Sequence, residues 1–542
     1  MDSPPTFPDM AENANHRDSP LVVAFLAVLS LSRATELLTN TTADADLWGY
    51  LSFGRLYWKT GNFPYQDVFA YLPTLNPWIY HEWLTGVIFY PLYQALGAPG
   101  LQALKYALGF TTLWIIFATA RRRGAGTVAA IVTLFLVQGF LATGYSPVRA
   151  QVFTYAFFPL TLYILETARL TGRLHILWLL VPIQVVWANL HGGFLAGLGL
   201  IFLYGLGEAL SRRPFYPFGG ILALAGLATL INPYGLKYWG YMISGISLPR
   251  SEITEWVSVW GAYQRGVFFN EFLIFSLVLA ITLLFYIWAR RWELTPILVF
   301  VFVTYLGLRH LRHQVFFYLV LGAYLPSPLT SFLQVMRSDP HLQIIRHSMV
   351  RITATLLGAL IVLFYAYQTS MQEPFSLKLP PLPKAQTKSQ IYYPTGAVAY
   401  IKEYRLTGNL LTEFNWGEYL IWTLYPQCHV SLDGRYETVY PQTICLDYFD
   451  FINGRANWQD FLKKYPPAMI LIDSRSKIYD LLKNDRSWLQ VYKDAGAALF
   501  LPSKEQTKTH PKSPEILSVN PSRIDMVITA ELSFRRDQAD KR

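Results

Sequence analysis

The sequence is short of charge. Only 15% of its 542 residues are Asp, Glu, Lys or Arg, where a water-facing chain usually carries about 25%. Much of the surface must therefore meet something other than water. Cysteine is almost absent: two residues exclude a disulfide-built scaffold and any Cys-rich zinc or iron–sulfur site. No repeat period is apparent. The first apolar run also lacks the basic flank of a signal peptide; its leader is acidic and proline-containing, so it reads as a retained span. What is abundant is apolar: 53% hydrophobic and 16% aromatic residues, with a mean hydropathy of +0.26. The net charge of +10 would suit nucleic acid. The basic residues instead come in short clusters between apolar runs, as Lys and Arg do on the cytoplasmic side of a polytopic membrane protein. The partner expected from composition is a membrane, with no nucleic acid.

Runs of roughly 17–25 apolar residues can cross a bilayer. They occur near 20–38, 100–120, 125–143, 151–168, 174–190, 193–210, 215–232, 271–288, 294–308, 315–333 and 352–369, about eleven in all. The stretch 82–97 is also apolar, but it is interrupted by Pro91. If it lies along the membrane surface, the clusters Arg121–Arg123, Arg169/Arg173, Arg212–Arg213, Arg290–Arg291 and Arg337/Arg346/Arg351 all fall on one side. The positive-inside rule makes that side cytoplasmic. The N-terminus is then inside, and everything after residue 370 is periplasmic.

The expected organisation follows. Residues 1–19 form a cytoplasmic tail, 20–370 a transmembrane domain with a first outer loop at 39–99, and 371–389 a Pro-rich linker. Residues 390–503 form a periplasmic domain in which β-type runs (NLLTE, HVSLD, AMILID, AALFLP) alternate with helical ones, the α/β signature. Residues 504–542 are polar and charged, a disordered tail. Cys428 and Cys445 both fall in the periplasmic domain, as a disulfide in an oxidising compartment or as two buried apolar side chains.

Chemistry-bearing residues concentrate on the outer side. Asp44 and Asp46 follow the first span; two carboxylates so placed can hold a divalent cation or act as a base toward a hydroxyl. Equally, either can cap the helical run that follows. His81 and Glu82 open the surface helix, and Glu82 can cap it. His191 sits in Asn189–Gly193, where two spans meet; a histidine there is costly unless paired or functional. Arg149, and Arg309–His310–Leu311–Arg312–His313, place cations where positive-inside statistics deplete them. They can touch lipid headgroups, or bind an anionic group held at the membrane. Glu252 and Glu255 could join the acidic set by location. Asp433–Gly434–Arg435–Tyr436–Glu437 ends a strand, where α/β sites often lie; it reads as a recognition loop or as a salt-bridged turn.

At this point the sequence resembles a family. An acidic pair after the first span, a long first outer loop with surface helices and a His-containing motif closing it look like the GT-C superfamily of polytopic glycosyltransferases. More closely, the chain is similar to a poorly characterised bacterial GT-C-like group. The motifs carrying this are DADLWGYLSFGR (44–55), YQDVFAY (65–71), WIYHEWL (78–84), VRAQ (148–151), WANLHGG (187–193), INPYG (231–235), ITEW (253–256) and RHLRH (309–313). The soluble part adds NWGEYLIW (415–422) and DGRYETVY (433–440).

The resemblance implies a mainly α-helical polytopic membrane protein, GT-C-like, with a C-terminal soluble α/β domain, in the bacterial inner membrane. It implies transfer of a sugar, with inversion, from a polyprenyl-phosphate-linked donor to a glycan, lipid or protein acceptor at the outer face. Asp46, and after it Asp44, carry over as the catalytic carboxylates. His81, Glu82, Arg149, His191, Arg309, His310 and Arg312 are the expected substrate-binding set. Asp44 and Glu82 are the expected ligands of a divalent cation (Mg or Mn). This chain departs from the pattern with Asp-Ala-Asp where many relatives have Asp-Glu, and His81–Glu82–Trp83 where they have His-Pro-Pro. The alternative from another class is a non-catalytic glycan- or lipid-binding assembly subunit of the cell envelope. A transporter is disfavoured, because the spans are nearly free of mid-span charge.

Overall fold

In the computed structural model, the described residues are 18–145, 147–247, 256–264, 269–289, 293–338, 348–380, 382, 392–455 and 457–503. Most of the two terminal tails and of the linker, together with Glu252 and Glu255, lies outside them. The chain divides into two compact units: residues 1–42 with 81–378, and residues 43–80 with 379–542. The first part of the outer loop, which the sequence assigns to the membrane portion, thus belongs with the C-terminal residues.

Every apolar run of the first unit forms a helix. These are Pro20–Leu38, Trp83–Arg122, Thr127–Tyr145, Gln151–Thr171, Leu180–Leu190, Phe194–Leu210, Tyr216–Ala228, Phe269–Ala289, Leu294–Arg309, Gln314–Tyr324 with Pro326–Ser338, and Ser348–Met371. Some of these are long and apolar enough, by length and composition alone, to cross a bilayer. Among the described residues there are four, or five if the bent pair around Leu325 is one span. Several of the others are shorter apolar helices. The run at 174–190 starts as a 3-10 turn, Leu174–Leu179, before becoming α-helical. Trp83–Arg122 is broken at Gly97, whose φ of 62° and ψ of −150° lie in a region open essentially to glycine. That break separates the apolar run beginning at 100 from 82–97, as the sequence suggests.

Burial in this unit is inverted on some helices. Leu277, Leu284, Leu360 and Leu363 are each 60–65% exposed, on helices with almost no charge. Such a surface is stable only against hydrocarbon. The interior is built instead from Trp187, Phe89, Tyr204, Tyr238 and Tyr324, all essentially buried.

The second unit carries a five-stranded sheet: β1 Gly408–Thr412, β2 Cys428–Val430, β3 Met469–Asp473, β4 Trp488–Lys493 and β5 Ala497–Pro502. Their order is β2-β1-β3-β5-β4. β1 runs parallel to both β2 and β3, with Leu410 opposite Val430 and Met469. β5 is antiparallel to β3 and β4. The helices Thr395–Glu403, Gly417–Leu424, Gln442–Ile452, Trp458–Lys464 and Lys477–Asn484 complete the α/β arrangement. The loop contributes the helix Ala45–Thr60 and a single bridge pairing Ala70 with Val430. Cys428 and Cys445 are free and buried, the second of the two expectations for them.

Candidate active site

In the first unit, the turn Trp187–Gly193 organises a polar cluster. Trp187 donates from Nε1 to Thr154 Oγ1 (2.8 Å). Asn189 accepts from Trp83 Nε1 (2.8 Å) and donates to the carbonyls of Val185 and Ile231 (2.8 Å each). The Leu190 carbonyl accepts from Thr85 Oγ1 (2.8 Å). These bonds tie the turn to three neighbouring segments and leave the His191 ring fixed between two partners.

The His191 proton can be assigned from geometry. Its Nδ1 accepts from the Gly193 amide (2.9 Å) and lies 2.8 Å from Thr154 Oγ1. A nitrogen that accepts from an amide carries a lone pair, so in the neutral ring the hydrogen sits on Nε2. Nε2 faces Glu82 Oε1 at 3.3 Å. Burial, and the nearby His81, Arg312 and Arg149, hold the His191 imidazole well below the usual histidine range. The same Glu82 oxygen lies 3.6 Å from His81 Nε2, and His81 Nδ1 is 3.4 Å from the Tyr241 hydroxyl. His81 packs over Gly192, where a Cβ would come within 3.3 Å of its ring. Glu82 occupies the position before its helix but makes no capping bond; its carboxylate turns to the two imidazoles.

The remaining cations approach from two other segments. Arg149 is half-buried just ahead of the helix Gln151–Thr171. Arg312 stacks over Trp256, 4.9 Å from the ring centre. His310 Nδ1 lies 2.7 Å from the Trp256 carbonyl; a carbonyl only accepts, so Nδ1 donates. Arg309 ends its helix with an exposed side chain.

In the second unit, Asp44 is the cap of the helix Ala45–Thr60. Its Oδ1 accepts from the Asp46 amide at 3.1 Å, an arrangement worth about 1 kcal/mol. Asp46 is half-buried in the first turn, where the helix dipole favours a carboxylate. Asp433–Glu437 is a packed, salt-bridged turn. Arg435 forks onto Asp433 (2.8 and 2.6 Å) and pairs with Asp67. Tyr440 donates to the same Asp433 carboxylate (2.6 Å).

Among the described residues, no group of three or more His, Cys, Asp or Glu side chains is arranged to hold a metal ion. Asp44 is committed to a backbone amide, and Glu82 to imidazoles. Sequence reasoning passed over Thr154, which carries no motif signal of its own; Trp83 was visible as part of WIYHEWL. Trp187 and the glycines of the turn were visible as parts of WANLHGG.

No family model matches the sequence, and no curated protein matches it. Among solved structures, the chain is similar to ArnT from Cupriavidus metallidurans, crystallised with undecaprenyl phosphate bound. The identity is 12%, the TM-score 0.50, and the alignment covers 91% of this chain and 99% of that one. At that identity the likeness speaks for architecture: this is a mainly α-helical, multi-pass membrane fold like that of ArnT, with a C-terminal α/β domain.

Proposed function

We propose that the chain is a glycosyltransferase of the bacterial inner membrane. It would move a sugar, with inversion, from a polyprenyl-phosphate-linked donor to an acceptor at the outer face. The observation that carries this reading is the likeness, over nine-tenths of the chain, to a protein crystallised with undecaprenyl phosphate. The cluster around His191 supports it. Two guanidinium groups, Arg149 and Arg312, act on the His191 ring, and guanidinium is well suited to a lipid phosphate.

In this reading Asp46 takes the proton of the acceptor hydroxyl as it attacks the anomeric carbon. The donor's lipid phosphate leaves with the bonding electrons, and Arg149 and Arg312 offset the charge developing on it. Arg309 and His310 extend the cationic rim. The His191 Nε2–H, oriented by Thr154 and Gly193, is a donor toward Glu82 or a sugar oxygen. A positioned base contributes about 10²–10⁴-fold. The test compares envelope glycans and glycoproteins of a deletion strain complemented with wild-type protein or with Asp46→Asn. The wild type should restore a missing glycan, and Asp46→Asn should restore about 10²–10⁴-fold less transfer. Full restoration by Asp46→Asn, at equal protein level, would favour the binding-subunit alternative.

A further inference from the structure

The motifs NWGEYLIW and DGRYETVY have no part in the mechanism above, yet both bear on Asp46. Glu418, on the helix Gly417–Leu424, is 4% exposed. Its Oε2 accepts from the Gly49 amide, 2.9 Å away, inside the first turns of the helix that carries Asp46. Its other oxygen looks toward Gly434. A Cβ on Gly434 would stand 2.8 Å from Glu418 Oε1 and 3.3 Å from Asp46 Oδ1. Both carboxyl groups therefore border the same small gap, which exists because residue 434 has no side chain. Gly49 serves the same end, since a Cβ there would overlap the Glu418 carboxyl.

We infer that Glu418 and Asp46 form a paired carboxyl site in which Glu418 is a positioning residue for Asp46. Two carboxylates this close cannot both be ionised cheaply. The groups facing Glu418 are Asp46 from its own helix, Asp433 and Arg435 from the turn after β2, and the Tyr393 hydroxyl. Burial first, then the charges of Asp46 and Asp433, push the Glu418 carboxyl well above the usual range, against the opposing effect of Arg435. The neutral acid keeps Oε2 as acceptor for Gly49 and leaves the hydrogen on Oε1, the oxygen on the Asp46 side. Glu418 thus holds the helix start through one oxygen and offers a hydrogen bond toward Asp46 with the other. Arg435 is the only cation in this set, and it is already forked onto Asp433 and paired with Asp67.

The statement about the pair stands by itself; its consequence for transfer rests on the base role proposed for Asp46. The test is infrared spectroscopy of the purified full-length chain at neutral pH. A protonated-carboxyl C=O band is expected, lost in Glu418→Gln and shifted in Asp46→Asn and Gly434→Ala. A spectrum in which Glu418→Gln removes no such band overturns the pair. Should that variant not accumulate in folded form, Gly434→Ala decides, and an unshifted band overturns the inference. For transfer, Glu418→Ala and Gly434→Ala should lower sugar incorporation while undecaprenyl phosphate binds as to wild type. Unchanged incorporation overturns the positioning role. If deletion and Asp46→Asn leave all glycans unaltered, the enzymatic reading fails, and the infrared band still decides whether the pair exists.

Discussion

Two charge clusters in the first unit use the same helices for opposite purposes. Near the C-terminal end of Gln151–Thr171, Glu166 is fully buried; it pairs with Arg123 at 2.7 Å and with Arg169 at 3.6 Å, and accepts from the Tyr204 hydroxyl at 2.8 Å. Glu293 adds a second carboxylate to both arginines. Two arginines face two glutamates, and the four charges neutralise one another. Near the N-terminal end of the same helix, Thr154 holds His191, which faces Glu82 and lies in the field of Arg149 and Arg312. Thr154 and Glu166 are about 18 Å apart along the helix at 1.5 Å per residue. A closed network fastens helices together. The His191 cluster is the one the proposed function assigns to the donor phosphate, so the closed network is to be tested for stability and the His191 cluster for binding.

The largest expected effect breaks the balanced cluster. Glu166→Ala leaves two buried guanidinium groups with a single, half-exposed carboxylate. Removing one partner of a buried ion pair costs about 3–5 kcal/mol. Thermal unfolding in detergent should show that loss, while the surviving folded fraction keeps its affinity for undecaprenyl phosphate. Loss of affinity without loss of stability would reverse the roles assigned to the two ends.

Next in size, Arg149→Ala and Arg312→Ala should each weaken undecaprenyl phosphate binding roughly 10- to 100-fold, the worth of one hydrogen bond to a charged group. Their melting temperatures should stay close to wild type. The measurement is equilibrium binding in detergent, and wild-type affinity in both variants would remove the cationic cluster from the proposed donor site.

The smallest effect is a pH dependence. His191 is held neutral in the folded chain, so its folded pKa lies below the unfolded value of about 6.5. The unfolded chain then binds the proton more readily. Its contribution to stability is present above about pH 6.5 and is lost as pH falls below that value. His191→Gln should flatten this part of the stability profile; an unchanged slope between neutral and mildly acidic pH would show that His191 takes up its proton equally in the folded and unfolded chain.

Much of the fold was legible because it depends on local features. Apolar run length located the long helices of the first unit but not Leu236–Ser247 or Val259–Gln264, and alternating β-type runs located β1, β2, β3 and β5. The strand β4, WLQVYK, was missed; all its residues are half-buried or exposed, so it lacks the apolar signature of a core strand. Run length does not register a backbone break such as Gly97, which lies inside the helix Trp83–Arg122. Of the site, the sequence named the ionisable residues but could not choose among their uses. Asp44 and Glu82 both sit just before a helix and both suit capping. Only Asp44 caps, because the two imidazoles compete for Glu82.

By itself the sequence determined the membrane class, the helical first unit and the α/β character of the second, because composition and periodicity act over a few turns of chain. Only the tertiary structure decided the partners of each charged group. Glu418 reaches the Gly49 amide across 369 positions of sequence, and His191 meets Glu82 from another helix. Such pairings follow from which surfaces pack together, and no local pattern encodes them.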